Sequence, residues 1–344
     1  MRHHHAMEVI RAPQHVAFAM GDATRVGEAR RHAAVLSQRA LLDEVQAGRV
    51  AIIVTELGNN LVRHASGGFL LLAVYEDRRE VEIVSIDRGP GIPDVGRSLS
   101  DGFSTGGTPG TGLGAVRRLA TDFHLHSAVP DGTIVVARVR VDDAQRERPA
   151  VAMEFAGLSV ALAGELVCGD AWAIALDGNS ASVLVADGLG HGPDAAEASQ
   201  AAVEVFNASP RAAPRTLLGS MHARLRSTRG AAVTLLQLDS EASSIRSSGA
   251  GNVSARIVSA DSDKTVLTQH GTVGLQMRSP DEQALDWPPH ALVVVHSDGL
   301  ESRWSPHRLM PLLQRDPMLA AALLLRDHSR GRDDATVVVV RRAD

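Results

Sequence analysis

Cysteine, lysine and long apolar runs are almost missing from this sequence of 344 residues. Its one cysteine, Cys168, excludes internal disulfides and cysteine-built zinc sites and suits a reducing compartment. Lys264 is the one lysine, and every other strongly basic side chain is arginine. That excludes the P-loop lysine and the strand lysine of ordinary protein kinases, so phosphate must be held by other groups. No apolar run approaches the roughly 18–20 residues needed to cross a bilayer. The chain does not open on a basic segment with an apolar core and a small-residue cleavage site. A soluble, cytoplasmic protein without a membrane partner is expected. With a net charge of −5 and no basic run, nucleic acid is not expected as a partner either.

What is present reads as globular, with 44% hydrophobic and 22% charged residues. The length suits two domains, each of roughly 100–200 residues. In the first half a strand is predicted over Val9–Ala19, then a helix opened by Asp22 as N-cap and running to Arg39. A second helix follows over Gln46–His64, where Val50, Ile53, Val54, Leu57 and Leu61 recur at helical spacing. Strands at Phe69–Tyr75 and Val81–Ile86 come next, then a loop dense in Gly, Ser and Thr, and a helix over Leu113–Asp122. Strands at Phe123–Ala128 and Thr133–Val141 close the unit around a tight turn at Pro130-Asp131-Gly132. Residues 142–150 lack the apolar content to join a core and read as a linker between domains at 7–141 and 151–344. Beyond it, strands are predicted at Leu158–Ala163, Ser182–Ala186, Ala232–Leu238, Val253–Ser259, Ala291–Ser297 and Thr336–Arg341. Helices are predicted at Ala195–Asn207, Thr216–Ser227 and Pro317–His328, which together suggest packed sheets flanked by helices.

On the second helix Glu56, Asn60 and His64 are spaced by four, which puts a carboxylate, an amide and an imidazole on one stripe. Asp87-Arg88-Gly89-Pro90-Gly91 directly follows a strand, and Gly110-Thr111-Gly112-Leu113-Gly114 opens a helix. Glycines let backbone amides approach phosphate, and a helix N-terminus adds partial positive charge. In this order and spacing the three segments resemble the N, G1 and G2 boxes of the GHKL ATPase family. Asp101-Gly102-Phe103-Ser104-Thr105 and Glu56-Leu57-Gly58-Asn59-Asn60 resemble, within that family, the RsbT-type switch kinases. The resemblance implies a Bergerat two-layer α/β sandwich that binds ATP. Asp87 would accept from the adenine amino group, Gly89 and Gly91 would give the base room, and Thr133 would lie beside it. Gly110, Thr111, Gly112, Leu113 and Gly114 would face the phosphates, with His64 near them. Asn60 would hold Mg²⁺, and Glu56 would be the general base on the incoming hydroxyl. Gly58 departs from the usual wording of this box, and at mid-helix it costs on the order of 1 kcal/mol relative to Ala.

The second half carries aspartates beside glycines or at strand boundaries: Asp170, Asp187, Asp298, and the pair Asp333-Asp334. Hard oxygen donors without cysteine select Mg²⁺ or Mn²⁺, and such a cluster repels itself unless cations neutralise it. Gly169-Asp170, Asp187-Gly188-Leu189-Gly190-His191-Gly192, Ser297-Asp298-Gly299 and Asp333-Asp334-Ala335-Thr336 resemble, in order, the motifs of PPM-type phosphatases of the SpoIIE branch. Arg229-Gly230-Ala231 and Gly251-Asn252-Val253 bring them nearest to the RsbX type. This implies a β-sandwich flanked by helices, in which Asp187 and the Gly188 carbonyl, Asp298, Asp333, Asp334 and Asp170 surround the ions, with Asp187 central to catalysis. No equivalent of the phosphate-holding arginine of larger PPM enzymes is evident.

Taken together, an α/β (α+β) chain is expected in which a serine/threonine kinase precedes an opposed phosphatase. The resemblances imply a regulator of a stressosome-type partner-switching pathway that acts on STAS-domain proteins of the RsbS/RsbR type, with a downstream regulator released by phosphorylation. Two other classes stay open: an ATP-gated binding module of the anti-sigma kind, and a phosphatase whose first domain only senses nucleotide.

Overall fold

The computed structural model describes residues 7–65, 67–99, 112–141 and 152–343. The segment 101–105, Gly110, Thr111 and the linker at 142–150 lie outside the described residues. The chain divides into two compact units, one of residues 15–146 and one of 1–14 with 147–344. The expected single strand at Val9–Ala19 is two strands in two different sheets. β1 (Glu8–Arg11) pairs in the second unit and β2 (Val16–Ala19) in the first. Pro13 interrupts between them, since its ring removes a ladder donor. The boundary expected at residue 7 accordingly gives way to one between Gln14 and His15.

In the ATPase-like unit, α1 (Ala23–Arg39) starts where Asp22 accepts the amides of Thr24 at 2.7 Å and Arg25 at 3.3 Å. Helix α2 (Glu44–His64) opens two residues earlier than expected, because Asp43 and Gln46 form a reciprocal capping box. The sheet has the order β2-β3-β4-β6-β5, all antiparallel, with β3 at Phe69–Tyr75, β4 at Glu80–Ile86, β5 at Asp122–Ala128 and β6 at Gly132–Arg140. A short turn of helix, α3 (Val95–Ser98), precedes α4 (Leu113–Leu119). Helix α4 stops before Asp122, which opens β5 rather than closing the helix. Alternate residues of the strands, among them Leu70, Leu72, Val81, Ile83, Val135 and Ala137, form one core with the apolar faces of α1 and α2.

The second unit stacks two sheets. One has the order β1-β8-β9-β10-β11-β16, with β8 at Asp170–Asp177, β9 at Ser180–Gly188, β10 at Ala231–Asp239, β11 at Ser244–Ala250 and β16 at Gln283–Asp286. The other has the order β13-β12-β17-β18-β7, with β7 at Met153–Val160, β12 at Ser254–Val258, β13 at Asp263–Val266, β17 at Leu292–His296 and β18 at Ala335–Arg342. Helices α5 (Pro193–Ala208) and α6 (Pro214–Arg224) cover the first sheet, and α7 (Pro317–His328), buried along almost its whole length, covers the second. Trp172 lies between the sheets, fully buried, edge-on to Phe155 with ring centroids 6.2 Å apart. Gly157 opposite it is obligatory, because a Cβ there would fall 2.2 Å from the indole.

Candidate functional site

In the ATPase-like unit the site is built where β4 ends and β6 begins, under α2. Asp87 follows β4, and its backbone amide bonds the Thr133 carbonyl at 3.0 Å. Its Oδ1 accepts the amides of Gly89 at 2.7 Å and Thr133 at 3.2 Å, which fixes the carboxylate at the sheet edge. Thr133 Oγ1 and Ser127 Oγ are 2.9 Å apart, and Ser127 Oγ accepts the Ile92 amide at 2.8 Å, so β5 and the Gly91 turn are tied into the same cluster. Gly91 has φ of +75°, and a Cβ there would sit 2.4 Å from the Ala128 carbonyl oxygen. A side chain at Gly89 would strike the His64 carbonyl. Glu56 and Asn60 are half-buried along α2, whereas His64 is exposed at its last turn. Gly112 caps α4, and the position of its missing Cβ faces open space; Leu113 is half-buried and Gly114 buried. Gly58 is explained by packing: a Cβ there would lie 3.1 Å from both Val26 methyls of α1. ATP fits these residues, since the Asp87 carboxylate is held in place at the sheet edge and Gly89 and Gly91 keep side chains out of the turn beside it.

In the second unit the two sheets deliver acids to one end. Asp170 opens β8 directly opposite Asp187 near the end of β9. From the other sheet come Asp298, just after β17, and Asp333, just before β18. Helix α5 packs so closely against Gly188 that a Cβ would lie 2.0 Å from the Ala195 carbonyl oxygen. Gly299 is equally constrained by the Asp334 carbonyl at 1.9 Å. Burial, opposed by hydrogen bonds from Ser297 and Thr336, raises the Asp170 carboxyl to about 7. Burial and the charges of Asp170 and Asp298 raise Asp187 to about 9. Burial and Asp333 raise Asp298, whose Oδ2 accepts from Asn252 Nδ2 at 2.6 Å.

These residues fit hard divalent cations. Asp170 Oδ2 is buried without a hydrogen-bond partner, and the carboxylates resist ionising together. Among the described residues no three such donors as placed enclose an ion, so the fit rests on the orphaned Asp170 oxygen and the mutual repulsion of the carboxylates.

Asp334 does something different from its neighbours. Its Oδ1 accepts the Leu162 amide and its Oδ2 the Gly169 amide, each at 2.7 Å, so this carboxylate braces the loop before Asp170 instead of facing a cation. Ser297, Thr336 and Asn252 stand within the motifs read from the sequence, but only the fold gives them a role beside the carboxylates, because hydroxyls and amides carry no metal signature. His191 Nδ1 lies 2.7 Å from Glu165 Oε1 on the rim.

Comparison with known proteins follows this division. Residues 20–139 match the histidine kinase-like ATPase domain, and residues 177–343 match stage II sporulation protein E. The serine/threonine-protein kinase RsbT of Bacillus subtilis (strain 168) is 37% identical over 95 residues, which are 27% of this chain and 71% of that protein. The chain belongs to the RsbT family. The histidine kinase-like ATPase match lies within its first unit, and the SpoIIE match lies within the second. A chain from the solved structure of the bacterial stressosome, described as a modular system adapted to control secondary messenger signalling, is 27% identical with a TM-score of 0.52. The match covers 55% of this chain and 99% of that one. RsbX in complex with magnesium shares the fold at 19% identity and a TM-score of 0.51, over 58% of this chain and 99% of its own. Among the described residues no helix is long and apolar enough to cross a membrane.

Proposed function

We propose that the chain sets the phosphorylation state of a protein partner in both directions, as a bifunctional regulator of a partner-switching pathway. What carries this reading is the presence of two unlike built sites in one chain: the Asp87–Thr133 cluster under α2, and the four carboxylates brought together from two sheets.

In the kinase unit ATP supplies the phosphoryl group. Asp87, held by two backbone amides, accepts from the adenine amino group, with Gly89, Gly91 and Thr133 shaping the space around the base. Asn60, one helical turn beyond Glu56, would hold Mg²⁺, and Glu56 would take the proton from the partner's hydroxyl. Gly112, Leu113 and Gly114 bring backbone amides to the phosphates, with His64 on the same side.

In the phosphatase unit Mn²⁺ or Mg²⁺ would neutralise the carboxylates and lower the pKa of a water for attack on phosphorus. Asp187, flanked by Asp170, Asp298 and Asp333, would hold the ions together with the Gly188 carbonyl. Asp334 keeps the preceding loop in place. STAS-domain proteins of the RsbS/RsbR type are the proposed partners, in keeping with the likeness to RsbT and to a stressosome structure, and the cytoplasm is the proposed setting.

The test is labelled ATP with purified STAS-domain proteins, followed by chase with Mn²⁺. Transfer to a serine or threonine and its later loss support the reading. Tight ATP-dependent binding without transfer would make the first unit a gated binding module instead.

A further inference from the structure

The eight residues before the kinase unit do not serve it. β1 is an edge strand that pairs antiparallel with β8, Glu8 opposite Leu176 and Arg11 opposite Ala173. Met7 and Val9 pack on the core beneath α5 and α6, and Ile10, of opposite parity, is 4% exposed. Pro13 then ends the ladder, and where backbone pairing stops the side chain of Gln14 takes over. Its Nε2 donates to the Leu166 carbonyl at 3.1 Å, and its Oε1 accepts the Cys168 amide at 3.3 Å.

Cys168 is two residues before Asp170. The loop between β7 and β8 is thus held from two sides: by Asp334 at the Leu162 and Gly169 amides, and by Gln14 at Leu166 and Cys168. Leu166 is 91% exposed, so its side chain contributes little to fixing the loop. An amide is suited to this place, since it donates and accepts in one plane and satisfies a carbonyl and an N–H together.

We propose that Gln14 is a positioning residue of the phosphatase site. It holds residues 166–168 so that Asp170 enters β8 in register with Asp187 and presents its buried Oδ2. The inference rests on reading the second unit as a metal-dependent phosphatase. It also means that β1 belongs to the phosphatase unit, with the whole kinase unit spliced between that strand and the rest.

The test uses the full chain without nucleotide. Gln14→Ala removes the amide, and Gln14→Met removes it while keeping length and bulk. Mn²⁺ affinity is measured by titration calorimetry and amide exchange over residues 162–170 by mass spectrometry. Both variants should bind Mn²⁺ about tenfold more weakly, the loss usual for a group that orients a metal ligand from behind. The Cys168 amide should exchange faster, while ATP affinity and far-ultraviolet circular dichroism hold. Wild-type affinity in either variant, with or without a looser loop, overturns the proposal. Failure of the wild-type chain itself to bind Mn²⁺ would instead overturn the phosphatase reading beneath it.

Discussion

At the scale of single residues the two sites separate holding from reacting. Asn60→Ala and Gly112→Ala should each weaken ATP binding in the presence of Mg²⁺, the second because its methyl would stand at the N-cap of α4, where the phosphates are proposed to lie. Glu56→Ala should leave ATP affinity intact and remove transfer; equilibrium dialysis with labelled ATP beside a transfer assay separates the two effects. In the phosphatase unit the carboxylates make a pH prediction. Asp187 and Asp170 keep their protons to about 9 and about 7 in the folded chain, against an ordinary value of 3.8. Over that interval the folded state binds more protons than the unfolded one, so metal-free stability is greatest in acid and falls as the pH rises. The melting temperature of the second unit in EDTA should therefore drop from about pH 4 to about pH 9, most steeply below about pH 7, and Mn²⁺ should restore it. Asp187→Asn should abolish phosphatase activity yet raise the metal-free melting temperature at the higher pH, because it removes a charge from a self-repelling set. A lower melting temperature for this variant would show that the carboxylate is not strained.

At the scale of elements, Gly58 shows a local rule giving way to packing. Alanine would gain about 1 kcal/mol of helix propensity, but its methyl would press on both Val26 methyls at 3.1 Å. Valine is stiff at χ1 and Val26 is buried, so overpacking at about 1–3 kcal/mol outweighs the gain. Thermal unfolding of Gly58→Ala should show a less stable kinase unit, and Gly58→Leu a still less stable one. Helices α1, α2 and α7 were legible because each signal was local: Asp22 as cap, the period of α2 and Pro317 at the start of α7; α5 and α6 open two residues before their expected starts, at Pro193 and Pro214. The glycines beside acids that mark strand ends were legible too. Strand β8 and strand β11 were not, the first because its apolar run follows a glycine-rich loop with no alternation, the second because Ser244–Ala250 is mostly small and polar. Nor could periodicity assign β1 to a sheet built from residues more than 150 positions away. The bracing by Asp334 was hidden for the same reason, since only the fold brings it to the Leu162 and Gly169 amides.

For the whole molecule the question is why opposed activities share a chain. The kinase unit is joined to the phosphatase at both of its ends, between Gln14 and His15 and again near residue 146. Each site therefore sees a high effective concentration of whatever its neighbour binds. If both acted freely on one residue of one partner, the pair would only consume ATP. We therefore expect a shared partner whose states are divided: the kinase acts on the docked, unphosphorylated form, and the phosphatase resets the product after release. The intact chain should leave a low steady level of phosphorylation on a STAS-domain partner. Asp187→Ala should raise that level severalfold without changing the initial rate of transfer, because the substituted carboxylate belongs to the second unit's site alone. Mass spectrometry of the partner over time with ATP and Mn²⁺ gives both quantities. An unchanged phosphorylated fraction, with the phosphatase active on a different protein, would mean that the chain couples two separate targets rather than cycling one.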